Sequence, residues 1–119
     1  MEEKLYFYQA KVTEVYDGDT CTVDIDLGLH TWIHSEKIRL ARIDAPELRG
    51  ETREQGLKAR DYLMQLILNK EIFIETKKDK KEKYGRYLGE IWALNDQGDY
   101  FNVNDKMVKD GYAVPYKTD

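Results

Sequence analysis

Ten residues, Ile38 to Glu47, bring together an arginine, Arg39, and two carboxylates, Asp44 and Glu47, with Ala45-Pro46 between the acids. Proline fixes its own backbone angle and drives the residue before it into an extended conformation, so the two acids sit on a stiff corner. A guanidinium and two hard oxygen donors this close in sequence suit a site that holds a metal ion and a phosphate together. The same ten residues equally suit an ordinary strand that ends in a polar proline turn. Arg39 and Asp44 lie five positions apart, so an unbroken strand would put them on opposite faces. Both serve one site only if a bulge intervenes between Leu40 and Asp44, or if Asp44 lies beyond the strand's end.

The elements that must position these groups can be read in chain order. Residues 6–16 mix Tyr, Phe, Val and Thr with charged residues and predict a first strand. Asp17-Gly18-Asp19-Thr20 predicts a hairpin turn in which glycine supplies a positive φ. Cys21, Val23, Ile25 and Leu27 alternate with polar residues as in a half-buried strand, Gly28 turns the chain, and residues 30–43 predict a long third strand. Thr52-Arg-Glu-Gln55 has the form of a capping box with Thr52 as N-cap. Ala59, Tyr62, Leu63, Leu66 and Ile67 then form one face of an amphipathic helix that ends at Asn69-Lys70. A fourth strand follows over Glu71–Thr76. Lys77–Lys83, with five lysines, is expected to be a solvated loop. A fifth strand runs through Leu88, Ile91, Trp92 and Leu94, Asn95–Gly98 turn, and Asn102 caps a short helix over Val103–Asp110 that Gly111 stops. Five strands and two helices predict an α+β, mainly β, chain: a five-stranded OB-fold barrel with one longer and one short helix packed on it, a single domain over residues 1–119.

Composition narrows the function. A net charge of −4 and a pI near 5.3 give no overall basic field, which argues against tight nonspecific nucleic-acid binding but leaves room for a local basic patch. Nine tyrosines suit both β structure and base stacking. The lone Cys21 excludes an internal disulfide framework and a cysteine-rich zinc site, and its place between alternating apolar residues predicts a buried thiol. His30 and His34 would stand about 13 Å apart on one strand face, too far to share a metal, and are expected at the surface. No apolar run is long enough to cross a bilayer, so no membrane partner is expected. The start of the chain lacks a signal-peptide core, consistent with an intracellular protein or a secreted one without its leader.

Asp17-Gly18-Asp19-Thr20, Arg39-Leu-Ala-Arg-Ile-Asp44-Ala-Pro-Glu47 and Lys83-Tyr84-Gly85-Arg86 occur in the order and approximate spacing of staphylococcal nuclease, and Gly111-Tyr-Ala113-Val-Pro-Tyr116 resembles the segment after that family's second helix. Over roughly residues 8–116 the chain resembles this thermonuclease-like family. Each motif is common alone; their joint register carries the likeness. The resemblance implies an OB barrel and a monomeric, calcium-dependent, sugar-nonspecific nuclease that hydrolyses DNA and RNA phosphodiesters to 3′-phosphate ends. It implies that Asp19, Asp44 and the main-chain carbonyl of Ala45 hold Ca²⁺, that Glu47 serves as general base or orients the attacking water, and that Arg39 and Arg86 clamp the phosphate. It further assigns Lys83 and Tyr84 to the terminal phosphate, and Tyr116 to the nucleotide. The chemistry independently favours these residue types: hard oxygens for a Lewis-acidic cation, a carboxylate to accept a proton, and planar guanidiniums for phosphate oxygens.

Three departures temper substrate affinity rather than reaction type. The chain ends at Asp119, where the family continues into a further helix, as in a short form or a cut one. After Tyr116 come Lys117-Thr118-Asp119, so a second tyrosine of the family's base pocket is missing. The stretch after Glu47 carries Arg49 instead of a lysine-rich loop. Binding is accordingly expected to be weak, salt-sensitive and dependent on Lys77–Arg86. The alternative is a catalytically weak or inactive OB-fold module that binds nucleic acid or protein; a purely structural domain would show no effect of calcium on melting.

Overall fold

The computed structural model describes residues 5–117, with side chains outside 78–80. β1 (Phe7–Asp17), β2 (Thr20–Gly28) and β3 (Thr31–Leu40) form an antiparallel meander, and β5 (Glu71–Lys81) and β6 (Tyr87–Leu94) pair on the other side of β1. The barrel closes where Ile38, Arg39 and Leu40 of β3 run parallel to Tyr87, Leu88 and Gly89 of β6. This is the expected five-stranded OB barrel, with α1 (Arg53–Ile67) and α2 (Val103–Lys109) packed on it. Three short strands supplement it: β4 (Ile43–Asp44) pairs with β8 (Val114–Pro115), and β7 (Tyr100–Asn102) extends β6.

The core follows the alternation visible in sequence. Val12, Cys21, Val23, Ile38, Leu40, Ile72, Ile74 and Ile91 point inward and are nearly solvent-free. The α1 stripe buries Gly56, Ala59, Leu63 and Ile67, with Tyr62 and Leu66 partly covered. Each fully buried Ile or Leu contributes about 1.5–3 kcal/mol relative to exposure, so this stripe holds α1 firmly against the barrel.

Three expectations are corrected. The fourth strand continues to Lys81, so most of the lysine run is strand rather than loop. Thr52 stands at the α1 N-cap without capping it; its hydroxyl donates to the carbonyls of Glu47 (2.9 Å) and Arg49 (3.1 Å), drawn off by the tight turn before the helix. Gly18 does not take a positive φ. Glycine is required there by space, because a Cβ would lie 2.7 Å from the Cβ atoms of both Ala45 and Ala59. Asn102, in contrast, caps α2 as expected, accepting from the Asp105 amide at 2.8 Å.

The predicted third strand divides. β3 stops at Leu40, Arg42 takes a φ of 68°, and Asp44 lies on β4 beyond the break. Arg42 then grips Glu90 of β6 through two bonds of 2.7 Å and Asp105 of α2 at 2.8 Å. Buried Asn104 ties the same corner to β6, donating to the carbonyls of Ala41 and Gly89 and accepting from the Ile91 amide. The corner that carries the acids is therefore fastened to both the barrel and α2.

Candidate active site

The β1–β2 turn and the β3–β4 corner meet at one end of the barrel. Gly18 lets the turn approach the Ala45 corner and α1, and this brings Asp19, nearly buried, beside it. The Asp19 carbonyl accepts from the Leu40 amide at 2.8 Å, and its carboxylate accepts from the Ala45 amide at 2.8 Å. Register places Arg39 opposite Thr20. The Arg39 guanidinium, also buried, lies between the two aspartates: Nη2 is 3.5 Å from Asp19 Oδ2 and 3.4 Å from Asp44 Oδ1, while Nη1 donates to the Leu40 carbonyl at 2.7 Å. Placing Asp44 beyond the strand's end is thus how two residues five apart reach one site.

Negative charge is concentrated here. Burial, and then the charge of Asp19, raise the Asp44 pKa, with Arg39 opposing. Burial and the Asp19 carboxylate push Asp17 up to about 6. In both, burial is the larger cause and the neighbouring Asp19 carboxylate adds to it.

The opposite wall is the loop between β5 and β6. Arg86 is chelated there by Glu82, its Nε and Nη2 donating to the two carboxylate oxygens at 3.0 and 2.9 Å. These bonds hold Glu82 down to about 2 and raise Arg86. The exposed Tyr84 ring packs under Arg86 Cζ at 5.4 Å and Lys83 Nζ at 5.0 Å. Glu47 projects from the loop after β4, 69% exposed, with Arg49 Nε 3.3 Å away. Its backbone is held by Thr52 and by α1, since a Cβ on Gly56 would lie 2.5 Å from the Glu47 carbonyl oxygen. Tyr116 is delivered by the β4–β8 pairing, its amide donating to the Arg42 carbonyl at 2.8 Å.

These groups border one cleft of about 1130 Å³. Asp19, Arg39, Asp44 and Ala45 form its floor, Lys83, Tyr84 and Arg86 one wall, and Glu47 and Tyr116 also line it, so all nine residues singled out from sequence converge. The cleft also takes in Lys77, Lys81 and Glu82 of the expected basic patch, and Asp17 and Lys117, to which sequence reasoning assigned no individual role. Asp17 belongs to the same turn motif as Asp19, and Lys77 and Lys81 both lie on the extended β5. His30 and His34 are exposed on the β2–β3 hairpin, where His34 pairs with Asp24 at 3.4 Å. Cys21 is buried, and burial pushes its thiol up to about 12.

A divalent cation fits the floor. Among the described residues no three His, Cys, Asp or Glu side chains are grouped to enclose a metal. Two aspartates and a main-chain oxygen need no such group, because calcium accepts flexible oxygen shells completed by water. A cation would also offset the part of the rise in Asp44 and Asp17 that comes from the Asp19 charge, which adds to the larger effect of burial.

Comparison with known proteins bears on the family of the chain. Residues 37–119, more than half of the chain, match the model of the staphylococcal nuclease homologues. An uncharacterized protein of Methanocaldococcus jannaschii is 32% identical over 92% of this chain and 59% of its own length. The thermonuclease of Staphylococcus hyicus is 31% identical over 87% of this chain and 56% of its own. An endonuclease of Bacillus subtilis is 32% identical over 92% of this chain but only 9% of its own. The chain thus spans less than two thirds of each of these relatives. With a closed five-stranded barrel, the motifs converging at its end and a family match over residues 37–119, the chain belongs to the staphylococcal nuclease family, a family of nucleases.

Proposed function

We propose that this cleft hydrolyses phosphodiester bonds in DNA and RNA with calcium as cofactor, leaving 3′-phosphate ends. The observation that carries the reading is the Arg39 guanidinium lying 3.4–3.5 Å from two aspartates, with a second arginine, Arg86, on the facing wall. Asp19, Asp44 and the Ala45 carbonyl hold Ca²⁺. The cation, when bound, supplies Lewis acidity and lowers the pKa of a bound water. Arg39 and Arg86 bind phosphate oxygens and neutralise the charge that grows on them as the bond is cut. Glu47, exposed at the cleft, accepts the proton of the attacking water or orients it. Lys83 contacts the terminal phosphate as a point charge, with Tyr84 beside it, and Tyr116 offers a ring to the nucleotide. On this reading the protein acts as a monomer on a nucleic-acid substrate, with no membrane partner.

Cleavage of a labelled oligonucleotide in calcium, in chelator and with Glu47→Ala tests this reading. Expected are calcium-dependent cutting, 3′-phosphate ends, and near-abolition by the substitution. Binding of the oligonucleotide without cutting, by folded protein in calcium, would instead establish a non-catalytic module.

A further inference from the structure

The loop that carries Arg86 is organised by one carboxylate. Glu82 Oε1 accepts from the amides of Tyr84 (3.0 Å) and Arg86 (2.9 Å) as well as from Arg86 Nε (3.0 Å), while Oε2 accepts from Arg86 Nη2 (2.9 Å). The Glu82 amide donates to the Arg86 carbonyl at 2.6 Å, and Gly85, at a φ of 81°, closes the turn on the Glu82 carbonyl. The other end of the guanidinium is held separately. Arg86 Nη1 donates to Thr20 Oγ1 at 3.3 Å, and Thr20 Oγ1 donates to Asp19 Oδ1 at 3.2 Å. Thr20 is buried, and the Glu82 and Arg86 side chains are largely covered.

We propose that Glu82 and Thr20 are positioning residues that fix Arg86 relative to Asp19. The chain Glu82–Arg86–Thr20–Asp19 runs from the loop wall to the cleft floor. A guanidinium has five N–H groups. Glu82 and Thr20 commit three of them, which leaves two on the terminal nitrogens for a ligand. A long arginine side chain free on a loop must lose its rotamer freedom when it engages phosphate; one already held does so beforehand. The same chain of bonds sets the separation between the phosphate clamp and a carboxylate assigned to calcium. Neither Glu82 nor Thr20 touches the reacting atoms. The inference rests on the nuclease reading for its catalytic consequence, but the positioning itself is observable without turnover.

Four measurements test it. In Glu82→Gln, kcat is expected to fall about 10-fold with KM changed less than about twofold, since a transition-state contact is what slackens. In an Arg86→Ala background the same substitution is expected to cost nothing further, because nothing remains to be positioned. Thr20→Val is expected to lower kcat and Thr20→Ser to restore it. Independently of cleavage, the Arg86 Nε–H resonance is expected to exchange slowly with water in the unmodified protein and rapidly in Glu82→Gln. Retention of kcat within twofold in Glu82→Gln, a loss that multiplies fully with that of Arg86→Ala, or unchanged Nε–H exchange would each overturn the proposal. Absence of cutting by the unmodified protein would remove the nuclease reading alone, and the exchange measurement would still decide whether Glu82 holds Arg86.

Discussion

The two sides of the cleft are built by different means. The floor is set by backbone and packing: Asp19 is pinned through its carbonyl to Leu40 and through its carboxylate to the Ala45 amide, with Gly18 wedged between Ala45 and Ala59. The facing wall is a loop in which two amides and the Arg86 guanidinium converge on a single side chain, Glu82. Positions on the floor come with the fold itself, so disturbing them disturbs folding too. Positions on the wall rest on polar contacts that a ligand or a substitution can loosen while the barrel persists. Stability and activity should therefore respond together on the floor and separately on the wall.

The largest effect is expected from Arg39→Gln, which keeps a polar side chain but removes the charge between Asp19 and Asp44. Loss of such a donor costs about 100-fold or more in cleavage rate, read under saturating substrate. Next is Gly18→Ala, which changes no reacting group. Its Cβ would stand 2.7 Å from two packed Cβ atoms, so about 1–3 kcal/mol of stability should be lost in chemical denaturation, with activity falling alongside. Were Gly18→Ala as stable as the parent, the floor would not be the tightly packed unit described.

Smaller effects belong to the wall. Tyr84→Ala and Tyr116→Ala remove exposed rings and should raise KM a few-fold through lost stacking, with the melting temperature unchanged. The smallest is a pH effect. Glu82 falls from its ordinary 4.5 to about 2 in the folded protein, so its contribution is complete above 4.5 and is lost as pH drops towards 2. Glu82→Gln should therefore lose less stability than the parent between pH 4.5 and 2 in urea titrations. Parallel curves would mean that the carboxylate does not organise the loop.

How much of this can be read from sequence also divides along these lines. Cys21, Val23 and Ile25 alternate because β2 is buried on one side only, and Ala59, Leu63 and Ile67 recur at helical spacing because α1 has one buried face; both patterns survive folding unchanged. The five-residue gap from Arg39 to Asp44 demanded a break, and Arg42 supplies it. The lysine run misled because Lys77 to Lys81 carry no apolar alternation to mark them as strand. Gly18 was recognisable as needed but not why: a close approach to Ala45 and Ala59 is a tertiary fact, invisible in a turn motif. Glu82 lay inside that same charge run, and nothing local distinguishes a carboxylate that chelates the next turn's arginine from one that faces water. Thr52 satisfied a capping pattern and was recruited instead by the Glu47 and Arg49 carbonyls.

The central claim is that the floor acids act through calcium, and Asp44 is the residue on which to test it. Unlike the buried Asp19 and Arg39, its side chain is half exposed, so Asp44→Asn is the floor substitution that should leave the barrel folded. Cleavage of a labelled single strand would be followed for the parent and for Asp44→Asn, each in calcium and in chelator. The expected result is cutting by the parent in calcium alone, with Asp44→Asn slower by about 100-fold or more. Equal cutting in chelator, or an Asp44→Asn protein as fast as the parent, would contradict it.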